Sequence, residues 1–111
     1  VNLIDTDQLF GHRCDPEGYA GSLKEFDCQL PHILSKLNDD DLLIITGDHG
    51  NDPCSTSTDH SREFVPLLVV ANEKSVEKEL GVRATFSDIA VSVAQFFGIE
   101  NTFPGSSFLK S

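Results

Sequence analysis

Apolar and polar positions fall in blocks along this chain, and the blocks differ in period. Residues 1–4, Val-Asn-Leu-Ile, read as a short buried strand that Asp5-Thr6-Asp7 closes, with a loop from Gln8 to Arg13 after it. Residues 42–45, Leu-Leu-Ile-Ile, form a second apolar run of strand length, broken at Thr46-Gly47. A third run centres on Leu67-Leu68-Val69-Val70 and follows Pro66, a residue at home at a strand's start or on a sheet edge. Between the first two runs the period changes. Tyr19, Leu23, Phe26, Leu30, Ile33, Leu34 and Leu37 recur at spacings of three and four, which is one apolar stripe on an amphipathic helix. Asp15-Pro16-Glu17 opens that helix with a capping acid, a proline at the first helical position and an acid in the first turn. Pro31 lies inside the stripe and predicts a kink or break, because it removes an amide donor and crowds the carbonyl of Asp27. Thr85-Phe86-Ser87-Asp88 is a capping-box signature; Ile89, Ala90, Val93, Phe96 and Phe97 then share a helical face, and Gly98 stops the helix. Residues 72–82 are a charged connection without a period, and residues 99–111 are a tail whose Phe103, Phe108 and Leu109 can pack on the body.

Strands alternating with helices predict an α/β class with parallel pairing. The expectation is the partial core of a parallel-sheet sandwich, with about three strands and two to three helices. A fully buried parallel strand needs cover on both faces, and so thin a sheet cannot provide it. The chain also opens on Val1 in mid-strand, so it reads as the carboxyl-terminal piece of a longer protein.

Composition narrows the function classes. The 111 residues carry a formal net charge of −10, which repels nucleic acid and anionic membrane surfaces and removes both as partners. The three cysteines, Cys14, Cys28 and Cys54, are odd in number, widely spaced and without a C-x-x-C pair. That argues against a disulfide framework or a structural zinc site and fits a reducing, cytoplasmic setting. No apolar run has the length of a membrane span, and no signal peptide is visible.

The candidate chemistry sits where the apolar runs end. Asp48 and His49 follow the 42–45 strand directly, and His60 follows a short polar loop. Asp7 and His12 follow the first strand in the same way. Open α/β sheets bind ligands beyond the carboxyl ends of their strands. Two carboxylates and three imidazoles are mixed oxygen and nitrogen donors, suited to zinc, manganese or iron rather than calcium. Five donors exceed one tetrahedral site and fit two metals sharing a site, a recurring device for phosphoryl chemistry. The acidic turn at residues 38–41 lacks EF-hand spacing and reads as solvated surface, as does His32 on the polar side of the first helix. Arg62 is expected to orient the loop by pairing with its carboxylate neighbours.

Three segments together carry a resemblance. Asp5-x-Asp7-x-Leu9-Phe10-Gly11-His12-Arg13-x-Asp15-x-x-Gly18-Tyr19-Ala20, then Asp48-His49-Gly50-Asn51-Asp52-Pro53, then Thr58-Asp59-His60-Ser61-Arg62-Glu63-Phe64-Val65-Pro66-Leu67-Leu68, are similar to the phosphopentomutases of the alkaline phosphatase superfamily. The wider superfamily shares the Asp-His-Gly signature, whereas the Gly-His-Arg segment with Gly-Tyr-Ala is closer to phosphopentomutases than to phosphoglycerate mutases. The resemblance implies a sandwich of the alkaline phosphatase type. It also implies transfer of phosphate between the 1 and 5 positions of ribose or deoxyribose, through a phosphothreonine enzyme primed by glucose 1,6-bisphosphate. It implies two manganese ions, one held by Asp7, His12 and His60 and the other by Asp48 and His49. On this reading residues 1–111 are the carboxyl-terminal part of the metal-binding catalytic core. The nucleophilic threonine, a further ligating aspartate and the sugar-binding cap domain lie in segments outside the chain, and the piece alone is inactive. The partners are then small sugar phosphates and the missing amino-terminal segment. The alternatives are another metal-dependent phosphatase or phosphomutase of the same superfamily, and a noncatalytic metal-binding domain.

Overall fold

A computed structural model describes residues 1–71, 76 and 79–110. Most of the 72–82 connection lies outside the described residues. Contacts divide the chain into two compact units, one of Val1–Asn38 with Ile44–Leu68, the other of Asp39–Leu43 with Val69–Ser111.

In the first unit residues 1–4 are not a strand. Among the described residues no segment pairs with them, and Val1, Leu3 and Ile4 stay exposed. A lone extended segment gains no ladder hydrogen bonds, so its apolar residues cannot hold it as a strand. The predicted loop that follows is a π-helical turn, Thr6–Gly11. Its wide ring brings residues five apart into register, and the His12 amide donates to the Asp7 carbonyl at 2.9 Å. The turn leans on the first helix through Thr6 Oγ1 and Ser22 Oγ, 2.9 Å apart. Phe10 lies so close over Gly18 that a Cβ there would collide with its ring.

Helix α1 spans Pro16–Leu34, and the Asp15 carboxylate caps it by accepting from the Gly18 amide at 2.9 Å. Pro31 does not break it. The proline sits in the last turn, where the next bond, from the Ser35 amide to the Pro31 carbonyl, is intact at 3.0 Å. The apolar stripe is present but incompletely covered: Tyr19, Phe26, Leu30 and Ile33 are half-buried, while Leu23 and Leu34 are exposed.

Strands β1 (Leu43–Thr46) and β2 (Leu67–Val70) form one two-stranded sheet. Their pairing is antiparallel, which corrects the parallel pairing expected from strand–helix alternation. The reason is local. No helix lies between β1 and β2, so the chain has no crossover with which to return parallel. It doubles back instead, and Gly50 and Ser61 make an antiparallel bridge, with the Ser61 amide donating to the Gly50 carbonyl at 3.2 Å. Along β2 half-buried and exposed residues alternate, the pattern of a sheet covered on one face. The chain is α/β, with two strands and three helical segments among the described residues.

The second unit is built on helix α2, Ser87–Phe96. Thr85 serves its start differently from the expected box: the Thr85 hydroxyl accepts from the Ser87 amide at 3.2 Å, and Asp88 does not reach back. Gly98, with φ of 64°, ends the helix as expected. The Gly98 amide donates to the Gln95 carbonyl and the Ile99 amide to the Ala94 carbonyl, the paired bonds of a Schellman stop. The buried face is not the predicted apolar one. Phe96 and Phe97 are exposed, and Asp88, Ser92 and Ala94 are the buried residues of α2. The tail explains the exchange. It lays Phe108 against the helix, and the Ser92 hydroxyl accepts from the Phe108 amide at 3.0 Å while donating to the Asp88 carbonyl at 2.7 Å. Phe108 packs as expected, and Phe103 remains exposed.

Asp88, 3% exposed, binds Arg83 Nε at 2.7 Å and the Ser106 amide at 2.9 Å. The Ser106 amide, with the Arg83 guanidinium, holds the Asp88 carboxyl below the ordinary carboxylate value, against the opposing push of burial. A carboxyl lowered on folding adds stability above its unfolded value, about 3.9, and that contribution is lost as pH falls through the lower folded value. Thermal melts from about pH 6 to pH 2 are expected to show wild type more stable than Asp88→Asn near neutrality. The gap should close only below about pH 4; a gap independent of pH would contradict the linkage.

Candidate metal centre

The site is assembled within the first unit from two segments, the π-turn and the arm between β1 and β2. The π-turn presents Asp7 and His12 together, His12 Nε2 lying 3.4 Å from Asp7 Oδ2. The arm brings His49 and His60 to the same carboxylate. His60 Nε2 is 3.4 Å from Asp7 Oδ1 and His49 Nε2 is 4.0 Å from it. The antiparallel Gly50–Ser61 bridge helps by joining the two sides of the arm at the residues that directly follow His49 and His60. The rings of His49 and His60 stack at 3.4 Å between centroids, tilted by 15°. Gly50 is required there, because a Cβ would stand 2.5–2.7 Å from backbone atoms of Glu63 and Ser61.

Asp7, His49 and His60 each offer a ligand atom, all within 4.8 Å of one another. His12 joins the cluster through His60, their Nε2 atoms 3.2 Å apart. Asp48 stands at its edge, 3.5 Å from His49 Nε2, with its side chain 78% exposed. All five residues expected from the sequence therefore fall in one neighbourhood, with His12, His49 and His60 around Asp7 and Asp48 at the edge. Arg62 does not behave as expected: it is exposed, and among the described residues no ion pair includes it.

The imidazole tautomers follow from their partners. His12 Nδ1 lies 2.6 Å from the Thr58 carbonyl, and His49 Nδ1 lies 3.2 Å from the Gly50 carbonyl. A carbonyl only accepts, so both Nδ1 atoms carry the hydrogen, which leaves each Nε2 as the atom that a cation would take. Imidazole fixed by a backbone carbonyl on its far nitrogen is the usual support of a metal-ligating histidine. A carboxylate among such nitrogens is a donor set that fits a divalent transition metal.

Two supporting groups were not legible in advance. The Thr58 carbonyl is a backbone atom in a polar loop and has no sequence signal. Asn51 reads as a turn residue, yet its amide donates to Asp7 Oδ1 at 3.3 Å.

The family model described as the metalloenzyme superfamily matches residues 1–101. The chain belongs to the metalloenzyme superfamily. All five candidate residues lie within the matched span. Among curated relatives, the phosphopentomutases of Acetivibrio thermocellus and Dictyoglomus thermophilum are each 54% identical over 111 residues, the whole of this chain and 29% and 28% of their own lengths. The phosphopentomutase of Dictyoglomus turgidum is 56% identical over 109 residues, 98% of the chain and 28% of that relative. This superfamily member thus spans under a third of the length of the curated relatives it matches. Among the described residues no helix is long and apolar enough to cross a membrane.

Proposed function

We propose that this chain supplies the carboxyl-terminal part of the catalytic core of a phosphopentomutase, which interconverts ribose 1-phosphate and ribose 5-phosphate and the deoxyribose equivalents. The observation that carries the reading is the gathering of His12, His49 and His60 around Asp7, in a chain 54–56% identical to phosphopentomutases along nearly all its length. The full-length protein then holds an alkaline phosphatase-type sandwich, to which the antiparallel β1–β2 pair contributes, and a separate cap domain for the sugar. It works in the cytoplasm and is primed by glucose 1,6-bisphosphate.

In this reading Asp7, His12 and His60 hold one manganese ion, and Asp48 and His49 hold the other. Bound there, two divalent cations supply the charge that activates a nucleophile and stabilises the leaving and non-bridging phosphoryl oxygens. The chain's own residues prepare that position. The Thr58 and Gly50 carbonyls keep the Nδ1 hydrogens of His12 and His49 and leave the Nε2 lone pairs free. Asp7 and Asp48 bring the negative charge that offsets the cations. Asp48 is open to solvent beside His49. The threonine that receives the phosphoryl group and the groups that hold the sugar belong to segments outside this chain.

The test is an assay of the full-length protein with ribose 1-phosphate. Conversion to ribose 5-phosphate is expected with manganese and catalytic glucose 1,6-bisphosphate, abolished by chelation and restored by manganese. Release of free phosphate without conversion would replace the mutase reading with a phosphatase of the same superfamily. No metal-dependent turnover of any phosphate ester would leave the noncatalytic reading.

A further inference from the structure

Asp7 is the centre of the site, and what holds it still is not a candidate ligand. Carboxylates accept hydrogen bonds and do not donate them when ionised. Four side chains from this unit approach the Asp7 oxygens: His12, His49, His60 and Asn51. An imidazole that gives its Nε2 lone pair to a cation has no hydrogen there to give to Asp7. Once the histidines ligate, Asn51 is the side-chain donor left on the carboxylate among the described residues. Its amide carries no titratable proton, so nothing in metal binding requires this bond to break. The orientation of the amide is fixed by chemistry, since its oxygen facing Asp7 would set two acceptors against each other.

The seat for the amide comes from a second residue. Gly11 is the buried member of the π-turn, and a Cβ on it would collide with Asn51 Nδ2 and stand 3.3 Å from Asp7 Oδ1. The missing side chain is therefore the space that Asn51 occupies. Gly11 has no left-handed backbone to justify its identity otherwise, for its φ is not among the positive ones. Two residues from segments far apart in sequence thus meet at one oxygen of Asp7.

We propose that Asn51 is a positioning residue, seated against Gly11, which fixes Asp7 in the orientation that ligates the metal. This rests on the metal reading above and adds to it a residue that touches no ion. Loss of such supporting bonds typically weakens metal affinity about 10- to 100-fold.

The experiment is a double-mutant cycle in the full-length protein, titrated with manganese alone by calorimetry, with melting temperature in excess chelator as the folding control. Asn51→Ala is expected to raise the manganese Kd about tenfold. Gly11→Ala should raise it comparably, because its methyl evicts the amide. The double variant should be no weaker than Asn51→Ala, because the two act through one contact. Melting temperatures without metal should move far less than the affinities. An Asn51→Ala protein with a Kd within about twofold of wild type overturns the proposal, as do effects of the two substitutions that simply add. Asp7→Ala separates the two readings. If it abolishes binding while Asn51→Ala does not weaken it, only the positioning role fails. If Asp7→Ala binds manganese like wild type, the metal assignment itself falls.

Discussion

Asp48→Ala and His12→Ala, each made in the full-length protein, are expected to abolish phosphoryl transfer while leaving the fold in place. The two residues reach this outcome by different routes. Asp48 is mostly exposed, and among the described residues its one ion-pair contact is His49, 3.5 Å away, so removing it strips charge from the site with little lost packing. His12 is tied to the arm through Thr58 and to Asp7 and His60 through Nε2, so its loss removes a donor and loosens the arm. Surface substitutions away from special features usually shift stability by less than about 0.5 kcal/mol, and Asp48→Ala belongs there. His12→Ala sits somewhat above it, by the value of one hydrogen bond, about 1 kcal/mol. Activity and melting temperature together decide the matter. Turnover within about tenfold of wild type in either variant would overturn the assignment of these residues as ligands.

The second large effect is structural in origin and functional in result. Gly50→Ala drives a methyl to within 2.5 Å of the Glu63 carbonyl oxygen, 2.6 Å of the Glu63 nitrogen and 2.7 Å of the Ser61 oxygen. All three are backbone atoms, so no side chain can swing away to relieve the clash. The arm must open at the Gly50–Ser61 bridge, at a cost of about 1–3 kcal/mol or more. That opening also parts His49 from His60, whose stacked rings flank the bridge. The expected result is a lower melting temperature together with a large loss of manganese affinity in the same protein. An alanine protein that matches wild type in both measurements would show that the bridge does not hold the site together.

What the sequence disclosed and what it hid divide along physical lines. Helix ends were legible because they depend on single residues: Asp15 and Pro16 begin α1, and Gly98 ends α2 by its own backbone freedom. The grouping of the five candidate residues was legible because acids and imidazoles recur just beyond the apolar runs 1–4 and 42–45 and the loop that follows. Strand identity was not legible at residues 1–4, since an apolar tetrapeptide is a strand only when another strand accepts it. Sheet direction was misjudged because the long β1–β2 connection holds a site and not a helix. The buried face of α2 was misjudged for a related reason. Periodicity counts apolar residues, and here Asp88 and Ser92 go inside because Arg83, Ser106 and Phe108 satisfy them. Asn51 carries no such signal, since Asn-Asp-Pro after a glycine is the composition of an ordinary turn.

The placement of the donors has a thermodynamic corollary. Asp7 and His12 precede the nineteen residues of α1, whereas Asp48, His49 and His60 follow them. A cation held by both groups is a crosslink, closing a long excursion of chain at one point. The entropy of closing such a loop grows only slowly with its length, so a single clip can tie distant segments at modest expense. By mass action the folded form of this region then gains stability with the logarithm of free cation concentration. For this segment, an ion that equipped the site for chemistry would also be part of what closes the chain around it.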